Sequence, residues 1–196
     1  MDKTYVKDAT ADKGKGEEAI LKAANLQLSE DDNVLAQGVE GSPYAIGYFG
    51  YAYFAGEAEQ LKAVSVNGVE PNEVTAEDGS YPLARPLYIY SDGKIMQEKP
   101  QVGAFINFYL TYVNEEILDV GYFPASGAAL DEAKSNWLAA NPAGVVLPAV
   151  DALEVSGDII SAGSSTVFPL SERMAERFQD EGYAGNITVD SIGTGA

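Results

Sequence analysis

The chain has 196 residues, 46% of them hydrophobic, enough to bury a core in one or two domains. Its formal net charge of -18 argues against nucleic acid and anionic membrane surfaces as partners, and any anion site must work through local donors. With no Cys and no His, the chain has no disulfides, no thiolate chemistry, no His-based triad and none of the commonest metal ligand.

The chain opens polar. Residues 1–5 lack the apolar core of a signal peptide, as expected of a cytoplasmic chain or of one whose leader has been removed. No run of about 18 apolar residues follows, so no membrane insertion is expected. Residues 17–24 predict a helix with Ile20, Leu21 and Ala24 on a small apolar face. Ser29-Glu30-Asp31-Asp32 is a helix-start signal, a capping Ser with acids in the first turn. Val34, Leu35, Gly38 and Val39 continue it at helical spacing until Gly41-Ser42-Pro43. A first helical turn explains Asp31 and Asp32 better than a metal site does.

Residues 44–53 are dense in aromatic and small side chains. They predict a strand over 45–48, then a turn into a helix near 51–59, with the aromatics in packing roles. Residues 61–66 alternate enough for a strand, closed by Asn67-Gly68. Pro82 and Pro86 hold 81–86 extended, with Arg85 structural, and lead into a strand over 87–90 ended by Ser91-Asp92-Gly93. Val102, Phe105, Ile106, Tyr109, Leu110 and Val113 mark a packed helix over 102–116. Leu130, Ala133, Trp137 and Leu138 mark another over 128–140, broken by Asn141-Pro142-Ala143-Gly144. Residues 145–157 are apolar but Pro-interrupted and read as a linker. A strand over 158–162, a helix with Leu170, Met174 and Phe178 as its buried stripe, and a strand ending at 191 complete the chain.

Two turns in this last stretch carry the chemistry. Gly163-Ser164-Ser165-Thr166-Val167-Phe168-Pro169 joins strand to helix. It can aim backbone N–H groups and hydroxyls at one spot, where the helix N-terminus adds partial positive charge suited to an oxyanion. Ser191-Ile192-Gly193-Thr194-Gly195-Ala196 is a second turn at a strand end, and two such turns can converge on one anion. By themselves, Ser164, Ser165 and Thr166 read first as an ordinary helix cap. A nucleophilic Ser164 or Ser165 would need a base. There is no His, and no Lys in 135–196, so an enzyme is not expected and no catalytic residue, metal ligand or cofactor is assigned.

Several segments together resemble the phosphate-binding protein of the bacterial phosphate ABC transporter, the PstS family. Residues 158–178, with GSSTV, resemble that family's mature N-terminus, and 186–195 the following strand with its GTG turn. SEDDNVLAQGVEGSPYAIGYFGYAY at 29–53 is similar to a stretch late in the family's second half. YPLARPLYIY at 81–90 and VGYFP at 120–124 resemble its C-terminal region. The resemblance implies an α/β fold of the type II periplasmic binding-protein class, mainly one lobe with a mixed sheet flanked by helices. It implies capture of inorganic phosphate, an ABC permease as partner, and a periplasmic or extracellular location. It assigns the phosphate contacts to Ser164, Ser165, Thr166 and Val167, and to Ser191, Gly193 and Thr194.

The order of these segments differs from the family's and implies a circular permutation. Residues 1–55 would be the trailing part of the second lobe and the hinge, and 56–142 the C-terminal part of the first lobe. Residues 143–157 would join the former termini, and 158–196 would be the N-terminal part of the first lobe. The family's acceptor Asp and its GTDSGT-like segment have no counterpart here. The expectation is therefore an incomplete site that binds phosphate weakly and separates it poorly from sulfate, since both turns offer donors and no carboxylate acceptor. The alternative is a non-binding fragment that needs a second polypeptide carrying the missing segment. The strands at 159–162, 187–191 and 87–90 are expected to be neighbours in one sheet.

Overall fold

Two amphipathic helices, far apart in sequence, build the centre of this chain. The structure, a computed structural model, describes residues 13–141 and 155–193. In chain order the elements are α1 (Lys13–Leu21), α2 (Asp32–Glu40), α3 (Tyr51–Gly56), α4 (Glu73–Glu77), α5 (Gly93–Glu98), α6 (Pro100–Val120), α7 (Gly127–Ala140), β1 (Ile159–Gly163), α8 (Phe168–Asp180) and β2 (Ile187–Ser191). Most of the expected linker, and Thr194 of the second turn, lie outside the described residues.

α6 is the longest element because its sequence supports it at both ends. Pro100 starts it where a missing N–H costs nothing. Gly121, with φ of 94°, ends it in the left-handed conformation. The N–H of Gly121 bonds to the carbonyl of Leu118 and that of Tyr122 to Ile117, which satisfies the last carbonyls. Its apolar face, with Phe105, Phe108, Tyr109, Val113 and Ile117, is buried against the Leu170, Met174 and Phe178 stripe of α8. Met174 and Phe178 are fully buried. The ring of Phe178 lies 5.5 Å from Phe105, 4.9 Å from Phe108 and 4.8 Å from Tyr183, distances at which aromatic pairs attract. Each such buried side chain contributes roughly 1.5–3 kcal/mol.

Ion pairs fasten the solvent side of the same seam. Glu116 accepts from Arg173 Nε at 2.6 Å and from Arg177 Nη1 at 2.7 Å, while Arg177 Nη2 reaches Glu115 at 2.7 Å. The Arg177 guanidinium also stacks 4.5 Å from the Tyr112 ring. Burial alone would raise the Glu116 carboxyl, but the hydrogen bonds and charges of the two arginines hold it below its ordinary value. α7 docks on the other side of α6, where buried Trp137 donates Nε1–H to the carbonyl of Gly103 at 3.0 Å.

β1 and β2 run parallel, in register from Ile159 opposite Ile187 to Gly163 opposite Ser191. This is the connection expected of a strand–helix–strand unit. One face of the pair joins the core through Ile159, Ile187 and Val189. On the other face Ile160 is 75% exposed.

The expected strands at 45–48, 61–66 and 87–90 are not formed. These segments are irregular or extended without ladder partners, and among the described residues the sheet has two strands, β1 and β2. The third neighbour expected in that sheet, 87–90, is therefore absent from it, although Leu87 packs on the core. β propensity needs a neighbouring strand to act on, and among the described residues none pairs with these segments beyond the single bridge at Val66. The Asn67-Gly68 turn does form, with both residues at positive φ and a single bridge between Val66 and Val69. The cap of α2 is Asp31, whose side chain accepts from Asn33 N, rather than Ser29, whose hydroxyl accepts from Asp31 N. α4 and α5 were not expected. They are single-turn elements started by Asn72 and Asp92, whose side chains accept first-turn N–H groups.

Candidate anion site

The ends of β1 and β2 bring the two candidate turns together. The N–H groups of Ile192 and Gly193 both donate to the carbonyl of Gly163, each at 3.0 Å. Gly193 has φ of 80°, which lets the chain fold back over the first turn. Ser191 is exposed at the strand end, and Gly193 is buried.

Within the first turn, Ser164 acts as the local organiser. Its hydroxyl accepts from Thr166 N at 3.2 Å, and its carbonyl accepts from the N–H of Val167 and of Phe168 at 3.1 Å. Val167 takes the N-cap position of α8 and supplies no side-chain cap. The helix-cap and anion-site readings of the turn therefore draw on the same groups. Ser164 spends its capacity on the turn, while the hydroxyls of Ser165 and Thr166 face other parts of the chain.

Those hydroxyls meet the segment before α2. Ser165 Oγ donates to the carbonyl of Glu30 at 2.7 Å, and Thr166 Oγ1 donates to Asp32 Oδ2 at 2.6 Å. Asp32 is 6% exposed. A carboxylate acceptor does stand at the first turn, and its position overturns the expectation of donors alone. It was missed because Asp32 lies 134 residues from Thr166 in sequence and its helix-start role gave it a sufficient local explanation.

Two tyrosines hold the turn from its carbonyl side. Tyr53 donates to the carbonyl of Ser165 at 2.7 Å, and Tyr122 to that of Thr166 at 2.6 Å. Burial, then the charges of Asp32, Asp31 and Glu172, push the Tyr53 hydroxyl up to about 12. Burial also raises Tyr122, with Tyr53 and Asp32 adding to the effect. Both stay protonated donors at neutral pH. Gly50 makes this crowding possible. A methyl group there would lie 2.5 Å from the Tyr122 hydroxyl and 2.8 Å from Thr166 Cγ2. Of the aromatic run at 44–53, Tyr51 packs on the core and Tyr53 holds the turn, whereas Tyr44 and Tyr48 are exposed, contrary to the packing role expected of them. Among the described residues no group of three or more acids is arranged to hold a metal ion, and no helix is long and apolar enough to cross a membrane.

A family model described as the PBP superfamily domain matches residues 2–112. The chain belongs to the PBP superfamily. Among curated members of related sequence, protein SphX of Synechocystis is 41% identical over 114 residues, 56% of this chain and 34% of that protein. The phosphate-binding protein PstS of Staphylococcus saprophyticus is 36% identical over 112 residues, 54% of this chain and 35% of that protein. The chain spans about a third of the length of the curated relatives it matches. The crystal structure of a phosphate ABC transporter, phosphate-binding protein from Streptococcus pneumoniae, superposes with a TM-score of 0.57 at 23% identity. It covers 87% of this chain and 58% of that one. This PBP-type likeness in fold therefore reaches beyond residues 2–112.

Proposed function

We propose that this PBP superfamily chain binds inorganic phosphate as part of the solute-binding component of an ABC phosphate importer, acting outside the cytoplasmic membrane with a permease as partner. The observation that carries the reading is the meeting of the two turns at the carbonyl of Gly163, with Ser164, Ser165, Thr166 and Val167 on one side and Ser191 and Gly193 on the other. Thr194 completes the proposed set. The phosphate-binding proteins it resembles support phosphate as the ligand and a binding protein rather than an enzyme.

The finer reading is a type II binding protein represented mainly by one lobe, in permuted order. Residues 1–55 form the trailing part of the second lobe, 56–142 and 158–196 the two parts of the first, and 143–157 the join. The α6–α8 core supports it, because residues on either side of the join bury their apolar faces on each other. The reading takes the site to have fewer donors than a full cleft, because the acceptor Asp and the GTDSGT-like segment of the resemblance have no counterpart among these residues. Each missing charge-assisted hydrogen bond removes roughly 1.5–3 kcal/mol, so the isolated chain binds phosphate at millimolar rather than micromolar levels. Calorimetry on the isolated chain tests this, and micromolar binding would refute the incomplete site.

One observation favours a second reading, a fragment completed by another polypeptide. Tyr44, Ile46, Tyr88 and Tyr90 are 96%, 79%, 62% and 87% exposed, on segments that have no strand partner among the described residues. Co-expression with a polypeptide carrying the remainder of a PBP fold, followed by co-purification and phosphate titration, decides between the two readings. A complex that binds where the chain alone does not supports the second.

A further inference from the structure

The hydroxyls that make the first turn fit for an anion are already taken by an acidic loop of the same chain. Thr166 Oγ1 donates a hydrogen bond to the Asp32 carboxylate at 2.6 Å, and Ser165 Oγ donates one to the carbonyl of Glu30 at 2.7 Å. The same loop reaches the second turn: a methyl group on Gly193 would lie 2.6 Å from Glu30 Oε2 and 2.7 Å from Glu30 Cβ. Residues 30–32 therefore lie across both turns at once.

We propose that this loop is an internal competitor for the anion site, with the Asp32 carboxylate holding the place of an oxyanion until the loop withdraws. The inference rests on the phosphate-binding reading above. A carboxylate offers the two things an oxyanion offers to this turn, negative charge near the start of α8 and lone pairs for a hydroxyl donor. Because Asp32 is buried, its charge is poorly screened, and an arriving anion meets like charge at short range. The Thr166 hydroxyl has one proton to donate, so while it bonds to Asp32 Oδ2 it cannot also donate to an anion. Asp32 is also the first residue of α2, so its withdrawal loosens that helix start, where Asp31 is the cap. Occupancy of the anion site is thereby coupled to the order of α2.

The test compares the full chain with its Asp32→Asn and Asp131→Asn variants by calorimetry, with phosphate and sulfate as separate probes. Asparagine keeps the size of Asp32 and an acceptor for Thr166 while removing the charge. Asp131→Asn changes net charge equally at an exposed position of α7, outside both turns and the loop. Asp32→Asn is expected to tighten both anions by about tenfold or more, and Asp131→Asn by less than about twofold. If the parent binds and Asp32→Asn binds equally or more weakly, the competitor is refuted while the phosphate reading survives. If neither chain binds either anion, both fall. Hydrogen exchange on the unaltered chain gives a check that needs no variant. Phosphate should speed exchange at the amides of 33–36 while slowing it at 165–168. Protection of both segments together would overturn the competition.

Discussion

Phe178→Ala probes whether residues beyond 155 and those of α6 and α7 form one cooperative unit. The Phe178 side chain is fully buried and packs on three rings from α6 and the segment after α8. Truncating a buried Phe to Ala costs about 3–5 kcal/mol, against a total of about 5–15 kcal/mol for a domain. With a urea dependence near 2 kcal/mol per molar, the midpoint falls by about 2 M. Trp137 fluorescence is the assay of choice, because Trp137 lies on α7, remote in sequence from Phe178, and is hydrogen-bonded to Gly103 of α6. If the halves fold together, the tryptophan reports the full shift from a substitution 41 residues later (178 − 137). An unchanged Trp137 midpoint, with loss of structure confined to the last 40 or so residues, would refute the shared core.

Three further outcomes follow from the geometry. Gly50→Ala places a methyl 2.5 Å from the Tyr122 hydroxyl, and thermal unfolding should show a loss of about 1–3 kcal/mol. Tyr122→Phe removes the donor to the carbonyl of Thr166; a loss of about 0.5–3 kcal/mol is expected in urea titrations, and a neutral result would mean that water replaces the hydroxyl. Glu116 has a lowered carboxyl value, so the stability it contributes is complete above its ordinary 4.5 and is lost as pH falls through the lower folded value. Melting temperatures of parent and Glu116→Gln should therefore differ at pH 7 and converge toward pH 3. A difference that persists unchanged at pH 3 would contradict the arginine pairing.

Helical periodicity made α6, α7 and α8 legible in the sequence, since Phe105, Tyr109 and Val113 meet Leu170, Met174 and Phe178 as their spacing required. β1, β2 and the Ser/Thr turn between β1 and α8 were readable for a similar reason, as local patterns with local causes. The three unformed strands were illegible because alternation at 45–48, 61–66 and 87–90 states a preference that only a partner strand can realise. Asp32 was illegible for the opposite reason. The pair Asp31-Asp32 fitted a helix start, yet only Asp31 is needed as the cap. The spare acid beside an already sufficient cap was the one sequence sign that Asp32 serves the turn at 163–167.

Phosphate titration of the isotopically labelled chain, read at the individual amides by magnetic resonance, bears most directly on the proposed role. Saturable shifts at millimolar phosphate, centred on 164–168 and 191–193, are the predicted result. Absence of shifts in those two turns up to tens of millimolar phosphate, or saturable shifts confined to other surfaces, would contradict it.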